Sequence, residues 1–421
     1  MKKLFILLVT VAGLTACKKD NTETVIQRPP LERNYTFSDG VIQRNVLESY
    51  LSRAITQAEI LNSDGFYSDG PYPDKADDFR MLTNIGAKFI GRALYSWGVE
   101  SRFNGPAFLD NAKAMIDQVH QTDADVIFQG AIFEIITPDV NNVPVPAWVF
   151  QEYDMPVENR NFRYDDMINL QGNGVGMWGT GSVPDISRKE TQMYFYHLAR
   201  RFMEAGIEAL HFGQAELMAM ADAGNGYAGW KDLLGRIRNT AKTVAHRGTV
   251  LCDAHLPGGG LAVDGKLLFD FVSFPLRAKE IGGEPQKAEL KKFYLDAIYG
   301  LTKGGTTPSG WECDQSPYLV EFDNFGMSDQ PGTPSVADIF VWGYDEIGWF
   351  YRQPTAEQNE FLEYADKWIA RVDPNGYIQM PGSRVIALGG GQVTRYRANT
   401  ESSSCPSGKS QEETIKKIWS K

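Results

Sequence analysis

The stretch that decides the fold is YLVEFDNFG, residues 318–326. It is a short apolar run closed by turn-forming residues, which is typical of a buried strand. Strands of parallel sheets are buried on both faces, so they form continuous apolar runs rather than alternating ones. The carboxylate of Glu321 stands at the end of this run, where burial is unfavourable unless the group has partners or a chemical task. Glu321 is therefore the first candidate functional residue.

Strand-like and helix-like segments alternate on either side of this stretch. Eight strands, most of them followed by a helix, predict a single large α/β domain, a (β/α)8 TIM barrel spanning residues 34–400 with loop insertions. The longest insertion is predicted at residues 137–170. The expected strands are 87–94, 126–136, a short one near 174–178, 207–216, 249–255, 267–276, 318–323 and 337–343. The expected helices are 45–61, 108–121, 187–205, 230–246, 287–301 and 356–372.

Composition limits the classes of function. The chain has 421 residues, 43% of them hydrophobic, which is enough for a sizeable core. Its 9 Trp, 18 Tyr and 23 Phe would suit sugar rings, whose apolar faces stack on flat side chains, although any single aromatic residue is more often core. The net charge is −11 and no basic run is longer than a pair, which argues against a nucleic-acid partner.

The N-terminus has the features of a targeting segment. A basic start at residues 1–3 and an apolar run at 4–14 precede Leu14-Thr15-Ala16-Cys17, which resembles the lipobox of bacterial lipoproteins. This resemblance implies a signal peptide at 1–16, a lipid on Cys17 and a flexible tether at 17–33. The expected location is the cell envelope, with the protein anchored to a membrane, most readily the outer membrane of a Bacteroidetes-like bacterium.

The remaining sequence features carry fewer predictions. Besides Cys17, three cysteines remain, at 252, 313 and 405, so one disulfide is conceivable and its pairing is open. No CxxC occurs, and the glycine runs 258–260 and 389–391 lack the context of a phosphate-binding loop, so we expect turns and no cofactor or structural metal. Residues 401–421 form a polar tail with a helical end at 412–419. The oligomeric state is not indicated.

Two glutamates form the predicted catalytic pair. Glu216 ends the fourth strand and Glu321 ends the seventh, 105 residues later, and these strands lie nearly opposite in an eight-stranded barrel. Glycoside hydrolysis needs two such carboxylates, one to protonate the leaving oxygen and one to attack the anomeric carbon or activate water. Different environments separate the pKa values of two such acids and so assign the roles.

The layout of residues 85–375 resembles the clan of retaining (β/α)8 glycoside hydrolases. That clan has an acid/base Glu after strand four and a nucleophile Glu after strand seven, which implies these roles for Glu216 and Glu321. The segment 319–322, LVEF, is similar to the nucleophile strand of the clan. An Asn precedes the acid/base in the clan, whereas Ala215 does so here, with Gln214 one position earlier.

Further residues at the predicted strand ends are candidates for substrate binding. Trp342 occupies a position where the clan often has a sugar-stacking aromatic residue. The two catalytic candidates also have competing structural interpretations. Glu321 could be a structural carboxylate bonded to Arg92 or to loop amides, and Glu216 could begin a helix, where its charge is favourable. The substrate-binding candidates are Arg92, Trp97, Glu134, Trp178, Gln214, Asp253, His255, Asp323, Trp342, Asp345 and Glu346.

Two other functions compete with a glycoside hydrolase acting on an extracellular or periplasmic glycan. The first is a lipoprotein that binds glycans without cleaving them, because fold does not determine function. The second is a metal-dependent barrel isomerase or lyase using Glu134, Glu216, Asp253 and His255 as ligands. A total of five histidines and the absence of an HxH pair argue against the second.

Overall fold

The computed structural model describes residues 28, 30–38, 40–62, 75–169, 172, 174–335 and 339–420. The predicted signal peptide, Cys17 and most of the predicted tether lie outside these residues. Within the described ranges, no helix combines the length and the apolar composition needed to cross a bilayer.

Eight parallel strands follow one another around the main sheet in the order of the chain. Each pairs with its predecessor and its successor, as expected for consecutive β/α units. They are β1 (Ala54–Gln57), β2 (Phe89–Leu94), β3 (Ile127–Ala131), β4 (Ala209–Gln214), β5 (Leu251–His255), β6 (Val272–Pro275), β7 (Tyr318–Glu321) and β8 (Gly376–Ile378).

The sheet closes on itself at β8. This strand pairs with β7, and after Gln379 the chain continues as β9 (Met380–Gly389), whose first residues pair in parallel with β1 through Ile55 and Met380. Because the eighth strand and its continuation hydrogen-bond to both the seventh and the first, the fold is a closed (β/α)8 barrel, as predicted. Beyond the barrel, β9 forms an antiparallel hairpin with β10 (Gln392–Arg397), and the glycine run 389–391 makes its turn.

Helices cover the outside of the barrel, except around β6. The helices are α1 (Arg44–Leu51), α2 (Ala76–Ile85), α3 (Pro106–His120), α4 (Ala147–Glu152), α5 (Lys189–Glu204), α6 (Ala215–Met218), α7 (Ala228–Val244), α8 (Glu346–Arg352), α9 (Thr355–Val372) and α10 (Glu412–Trp419). The last of these is the predicted helical end of the polar tail.

The helix predicted at 287–301 is wrong. This segment has turns, with Phe293 and Leu295 at positive φ. Tertiary contacts replace helical ones here: Tyr299 is buried and its hydroxyl donates to the carbonyl of Leu276 at 2.6 Å. Side-chain burial therefore overrides a helical sequence pattern.

Two predicted strands are wrong and two strands, β1 and β8, were not predicted; the errors before residue 207 compensate. The helix predicted at 45–61 ends at Leu51 and is followed by β1, whose residues are all buried and so show no alternation. The expected third strand at 174–178 is a turn, and the described part of the expected eighth strand, 339–343, contains no strand. One missed strand and one false strand precede residue 207, so the fourth and seventh predicted strands keep their true positions in the barrel.

The N-terminal end of the barrel is sealed by apolar side chains. Each strand contributes one residue near its start to this layer, and α1 covers it from below with residues such as Leu47 and Tyr50. The layer from the strands consists of Ala54, Phe89, Ile127, Ala209, Leu251, Phe271, Leu319 and Tyr377. The functional groups must therefore lie further along the strands.

The segment after residue 400 and the cysteines are part of the folded structure. Glu412 of α10 is buried and accepts two hydrogen bonds from Arg80 of α2, at 2.5 and 2.9 Å. Cys252, Cys313 and Cys405 are all free thiols, so no disulfide forms among them.

Candidate functional site

The second interior layer of the barrel is polar. Side chains of a strand alternate between its faces, so the residues two positions beyond the apolar layer also point inward. These residues are Thr56, Gly91, Gln129, His211, Asp253, Ser273, Glu321 and Gln379. Buried polar groups require hydrogen-bond partners, and this layer supplies most of them internally.

Gly91 is the residue of this layer that leaves space. A Cβ atom at this position would lie 2.0 Å from the side-chain nitrogen of Gln379. That amide instead occupies the gap and donates to Thr56 Oγ1 at 2.7 Å. The glycine therefore lets β8 and β1 connect across the barrel interior.

Asp253 organises one half of the layer. Its carboxylate oxygens contact Gln129 Nε2 at 2.6 Å, Ser273 Oγ at 2.7 Å and His211 Nδ1 at 2.8 Å. Burial raises the pKa of Asp253 to about 7. Burial, together with the charge of Arg92, holds the pKa of His211 well below its usual value, so this imidazole is neutral.

Glu321 organises the other half and is buried at the end of β7, with 2% of its surface exposed. Its Oε1 contacts Arg92 Nη2 and His255 Nε2, the latter at 3.1 Å. Its Oε2 accepts from Arg384 Nη1 at 2.8 Å and from Thr56 Oγ1 at 3.2 Å. Burial alone would raise the pKa of Glu321, but the two guanidinium groups hold it well below its usual range, so the group is a carboxylate.

Two β-bulges direct certain side chains towards the C-terminal mouth of the barrel. Regular alternation along the strands would point these side chains outward. The register shifts between Ile90 and Leu94, where Arg92 has φ +57°, and again between His211 and Gln214, where Gly213 has φ +51°. Bulges re-aim side chains and are common beside active sites. A long residue such as Arg at positive φ is strained, and such strain is characteristic of functional sites.

A large cavity opens above this layer, at the C-terminal mouth of the barrel. Its volume is about 1260 Å³, and both ionic and aromatic side chains line it. In (β/α)8 enzymes this mouth is the place of the active site. The aromatic residues of the lining are Tyr95, Trp97, Phe133, Trp178, Phe274 and Phe325.

Trp97 and Trp178 form an aromatic wall of the cavity. Their rings lie 5.7 Å apart in an edge-on arrangement, and Phe133 contacts Trp97 with ring centroids 5.3 Å apart. Trp97 is 44% exposed, which is unusual for a large aromatic side chain that has no ligand to cover it. The wall can stack on the apolar face of a sugar ring.

Glu134 supplies a second carboxylate to the cavity. It is buried, and it accepts from the Gln214 side-chain amide at 2.8 Å and from the Gln214 backbone N–H at 3.1 Å. Gly213 makes this approach feasible, because a Cβ there would lie 1.9 Å from Glu134 Oε2.

Eight of the thirteen candidates predicted from the barrel sequence line the cavity. Five do not: Glu216, Asp253, Trp342, Asp345 and Glu346. The eight that do are Arg92, Trp97, Glu134, Trp178, Gln214, His255, Glu321 and Asp323.

Glu216 is not among the residues that line the cavity. It sits in α6, beside Gly258, where a Cβ would approach its Oε1 to 2.5 Å. Burial raises the pKa of Glu216, opposed by the charge of Lys303 and a hydrogen bond from the Gly258 backbone. The chain enters α6 immediately after Gln214, and the pairing of Glu216 with Glu321 stays a prediction.

Trp342, Asp345 and Glu346 have structural contacts instead. The buried indole of Trp342 donates to the carbonyl of Lys287 at 2.8 Å. Asp345 is the N-cap of α8 and accepts from the backbone of Gly348 at 2.6 Å. Glu346 accepts backbone hydrogen bonds at 2.8–3.1 Å from three residues of neighbouring loops, which fixes those loops.

The sequence interpretation missed several residues of the site, Arg384 above all. Arg384 lies on β9, which continues β8, and the wrong eighth strand concealed its place. Glu59, paired with Arg395 at 2.5 Å, and Arg277, paired with Asp296 at 2.5 Å, also line the cavity. The signal that identifies the interior polar layer is, in most strands, a polar residue two positions after an inward-facing apolar residue.

The proposed metal ligands do not converge. Asp253 is engaged by three donors below the cavity, and Glu216 is outside its lining. Across the described ranges of the chain, no group of three or more His, Cys, Asp or Glu side chains is placed to hold a metal ion.

Comparisons with known proteins find structural likeness alone. No family model matches the chain, and no curated protein matches it. Among solved structures, the GH113 β-mannanase AaManA from Alicyclobacillus acidocaldarius is 12% identical, with 87% of this chain and 96% of that chain covered and a TM-score of 0.42.

Two larger glycoside hydrolases are also similar over part of the chain. The debranching enzyme of Nostoc punctiforme is 12% identical over 54% of this chain and 53% of its own, with a TM-score of 0.32. The GH36 α-galactosidase AgaA from Geobacillus stearothermophilus is 14% identical over 51% and 31%, with a TM-score of 0.30. The chain thus spans about half of the first and a third of the second. At these scores the likenesses carry no argument about activity, and the barrel assignment rests on the strand order.

Proposed function

We propose that the protein is a glycoside hydrolase whose active site is the cavity at the barrel mouth. The observation that supports this most is that two carboxylates, Glu321 and Glu134, line one large cavity together with an aromatic wall. Glycosidic bond cleavage uses two carboxylates, and aromatic rings provide flat apolar surfaces on which a sugar ring can stack.

Glu321 takes the role of the ionised carboxylate. Its depressed pKa keeps it charged at neutral pH, as required of a nucleophile or of a group that stabilises an oxocarbenium ion. It cannot serve as the proton donor, because a general acid must hold its proton at the working pH.

Glu134 takes the role of general acid in place of Glu216. It lies beside the C-terminal end of β4, held by Gln214, and thus occupies the side of the mouth where the sequence placed the acid. In its protonated form it would donate to the glycosidic oxygen, and in its ionised form it would activate water. This assignment replaces the Glu216 role that the clan resemblance implied.

Hydrolysis of aryl glycosides and oligosaccharides tests the proposal. We expect the wild-type protein to release reducing sugar from at least one class in a panel that varies the sugar and its linkage. Proton NMR of the first product anomer then distinguishes retention from inversion. Binding without release of product from any member would contradict the enzymatic role.

One observation favours glycan binding without cleavage as the second candidate. Both oxygens of Glu321 are engaged, each by one guanidinium group and one further donor, which lowers the nucleophilicity of the carboxylate. Calorimetric binding of an oligosaccharide that the protein leaves intact would support this function.

We also propose that the chain is tethered to a cell-envelope membrane through a lipid on Cys17. The support is the lipobox at residues 14–17, at the end of an apolar run. Metabolic labelling with a fatty-acid analogue should mark the wild-type protein and not Cys17→Ala. Equal labelling of both would contradict the anchor.

A further inference from the structure

We infer that the glycan bound in this cavity carries an anionic substituent, a carboxylate or a sulfate ester, which Arg384 binds. The inference rests on the proposed function and adds the chemical class of the substrate. It begins from the hydrogen-bond donors left open on two guanidinium groups at the cavity floor.

Arg384 has uncommitted donors. Its Nη1 donates to Glu321 Oε2 at 2.8 Å, and its remaining side-chain N–H groups have no hydrogen-bond partner in the part of the chain that the structure covers. Arg384 is 12% exposed and lines the cavity, so a ligand can reach these groups. A guanidinium fork with two free donors matches the geometry of a carboxylate or sulfate.

Arg92 adds a second observation at the same place. Its side chain is 6% exposed, and its Nη1 is buried without a hydrogen-bond partner. Leaving a buried charged donor without a hydrogen-bond partner is unfavourable. Two guanidinium groups therefore share the single carboxylate of Glu321, which leaves one positive charge uncompensated within this cluster.

The other acids of the lining offset part of that charge. Glu59 is paired with Arg395, whereas Asp323 and Asp296 share the single guanidinium of Arg277, and the charge of Asp323 also acts on Arg384. Binding of an anion therefore depends on the open hydrogen-bond donors of Arg384.

Glu134 lies on the opposite side of the mouth. It is held by Gln214 of β4, four strands away from β8, whose continuation carries Arg384. Arg384 on β9 and Glu134 beside the end of β4 therefore lie on different sides of the mouth.

The open guanidinium donors at the cavity floor contrast with the acidic charge of the whole protein. A net charge of −11 repels anions in general, so a local positive cluster is required to bind one. Charges more than about 8 Å apart through solvent are largely screened at physiological salt, so the buried guanidinium groups dominate at the floor.

Calorimetry with matched sugar pairs tests the inference. The ligands are the methyl glycosides of glucuronate, galacturonate and mannuronate, the neutral sugars from which they differ at C6, and the corresponding 6-sulfates. We expect at least one acidic or sulfated ligand to bind about 10-fold or more tightly than its neutral counterpart. The carboxylate and sulfate arms show which anion is preferred.

Variants assign the effect to Arg384. In Arg384→Gln, affinity for the acidic ligand should fall by about 10–100-fold, and affinity for the neutral one by less than about 3-fold. Arg384→Lys keeps a positive charge beside Glu321 but lacks the planar guanidinium donors. It therefore controls for a folding defect caused by loss of the ion pair. It should weaken binding of the acidic ligand by about 10-fold. Arg200→Gln, on the outer face of α5 and paired with Glu204, is the control that removes one arginine elsewhere.

The outcomes separate this inference from the proposed function. Neutral ligands that bind as tightly as acidic ones, or an equal loss of both in Arg384→Gln, would overturn the anionic substrate while leaving the glycosidase intact. Failure of every sugar to bind would overturn both.

Discussion

Glu321 lies between the barrel interior and the cavity. Its replacement tests its structural role as a counter-ion and its catalytic role together. In Glu321→Gln the buried charges of Arg92 and Arg384 lose their shared counter-ion. Breaking a buried ion pair on one side destabilises a protein by about 3–5 kcal/mol. We expect a loss of this size in the free energy of unfolding, measured by urea denaturation, together with loss of turnover.

Glu216→Gln is the matched control for that measurement. Glu216 is half-buried beside Gly258 and lacks a cationic partner of comparable burial. We expect it to change stability by less than about 1 kcal/mol. A stability loss in Glu216→Gln equal to that of Glu321→Gln would contradict the description of the polar layer.

Asp253 predicts how stability depends on pH. Its pKa is raised to about 7 by burial, whereas an unfolded Asp has a pKa of about 3.9, so the folded state keeps a proton that the unfolded chain releases. This contribution is fully present below about pH 4 and is lost as the pH rises through about 7. Glu321 and Glu412 have lowered pKa values, so their contribution to the free energy of unfolding is lost only as the pH falls below about 4.5.

We therefore expect the free energy of unfolding to fall between about pH 5 and pH 7 in the wild type. In Asp253→Asn the fall should be flatter, since the titrating group is gone. Urea denaturation at pH steps across this interval measures both slopes, and identical slopes would show that Asp253 does not titrate there.

At the scale of the element, the bulge in β4 positions Glu134. Gly213→Ala would place a Cβ 1.9 Å from Glu134 Oε2, at a φ of +51°. Displacing a catalytic group by about 1 Å can lower the rate by about 10²-fold. We expect kcat to fall by about 10–100-fold in this variant, with a stability loss of about 1–3 kcal/mol from backbone strain.

Gly224→Ala provides the control for that element. A Cβ at Gly224 meets no atom within 4 Å, so both kcat and stability should stay close to the wild-type values. Unchanged kcat in Gly213→Ala would mean that the position of Glu134 does not matter for turnover.

Elements also show how far the sequence could be interpreted. The strands ending at Gln214, His255 and Glu321 were predictable, because continuous apolar runs of that length are typical of parallel strands. Strand β8 was not, since its three residues follow α9 directly and carry no distinctive pattern. Because β8 was not predicted, its continuation β9 was not predicted either. Arg384 lies on β9, which pairs with β1 and then extends beyond the barrel.

The bulges explain why part of the site was not predictable. Arg92 was a predicted candidate, but its route to Glu321 was not predictable, because regular alternation directs Arg92 outward and the register shift in β2 brings it to Glu321. Likewise, Glu216 is near the end of an apolar run, but the chain enters α6 at Ala215 and carries it to Gly258. The sequence does not show the end of a strand to within one residue. A shift of one residue along a strand moves a side chain to the opposite face of the sheet.

At the scale of the molecule, the barrel is divided into three levels. An apolar layer covered by α1 seals its lower end, a polar layer fills its middle, and the cavity of about 1260 Å³ occupies its mouth. Glu321 belongs to the polar layer and contacts Arg92 and His255 at the floor of the cavity, so this residue contributes to both stability and chemistry. This arrangement is consistent with a barrel whose mouth acts on a sugar substrate.

The most direct test compares kcat/KM of Glu134→Gln and Glu216→Gln on the best substrate of the glycoside panel. Removal of a catalytic carboxyl group that acts in general acid catalysis lowers the rate by about 10²–10⁴-fold. We predict a loss of that size for Glu134→Gln and a change of less than about 3-fold for Glu216→Gln. A large loss in Glu216→Gln with near wild-type kcat/KM in Glu134→Gln would contradict the site as assigned.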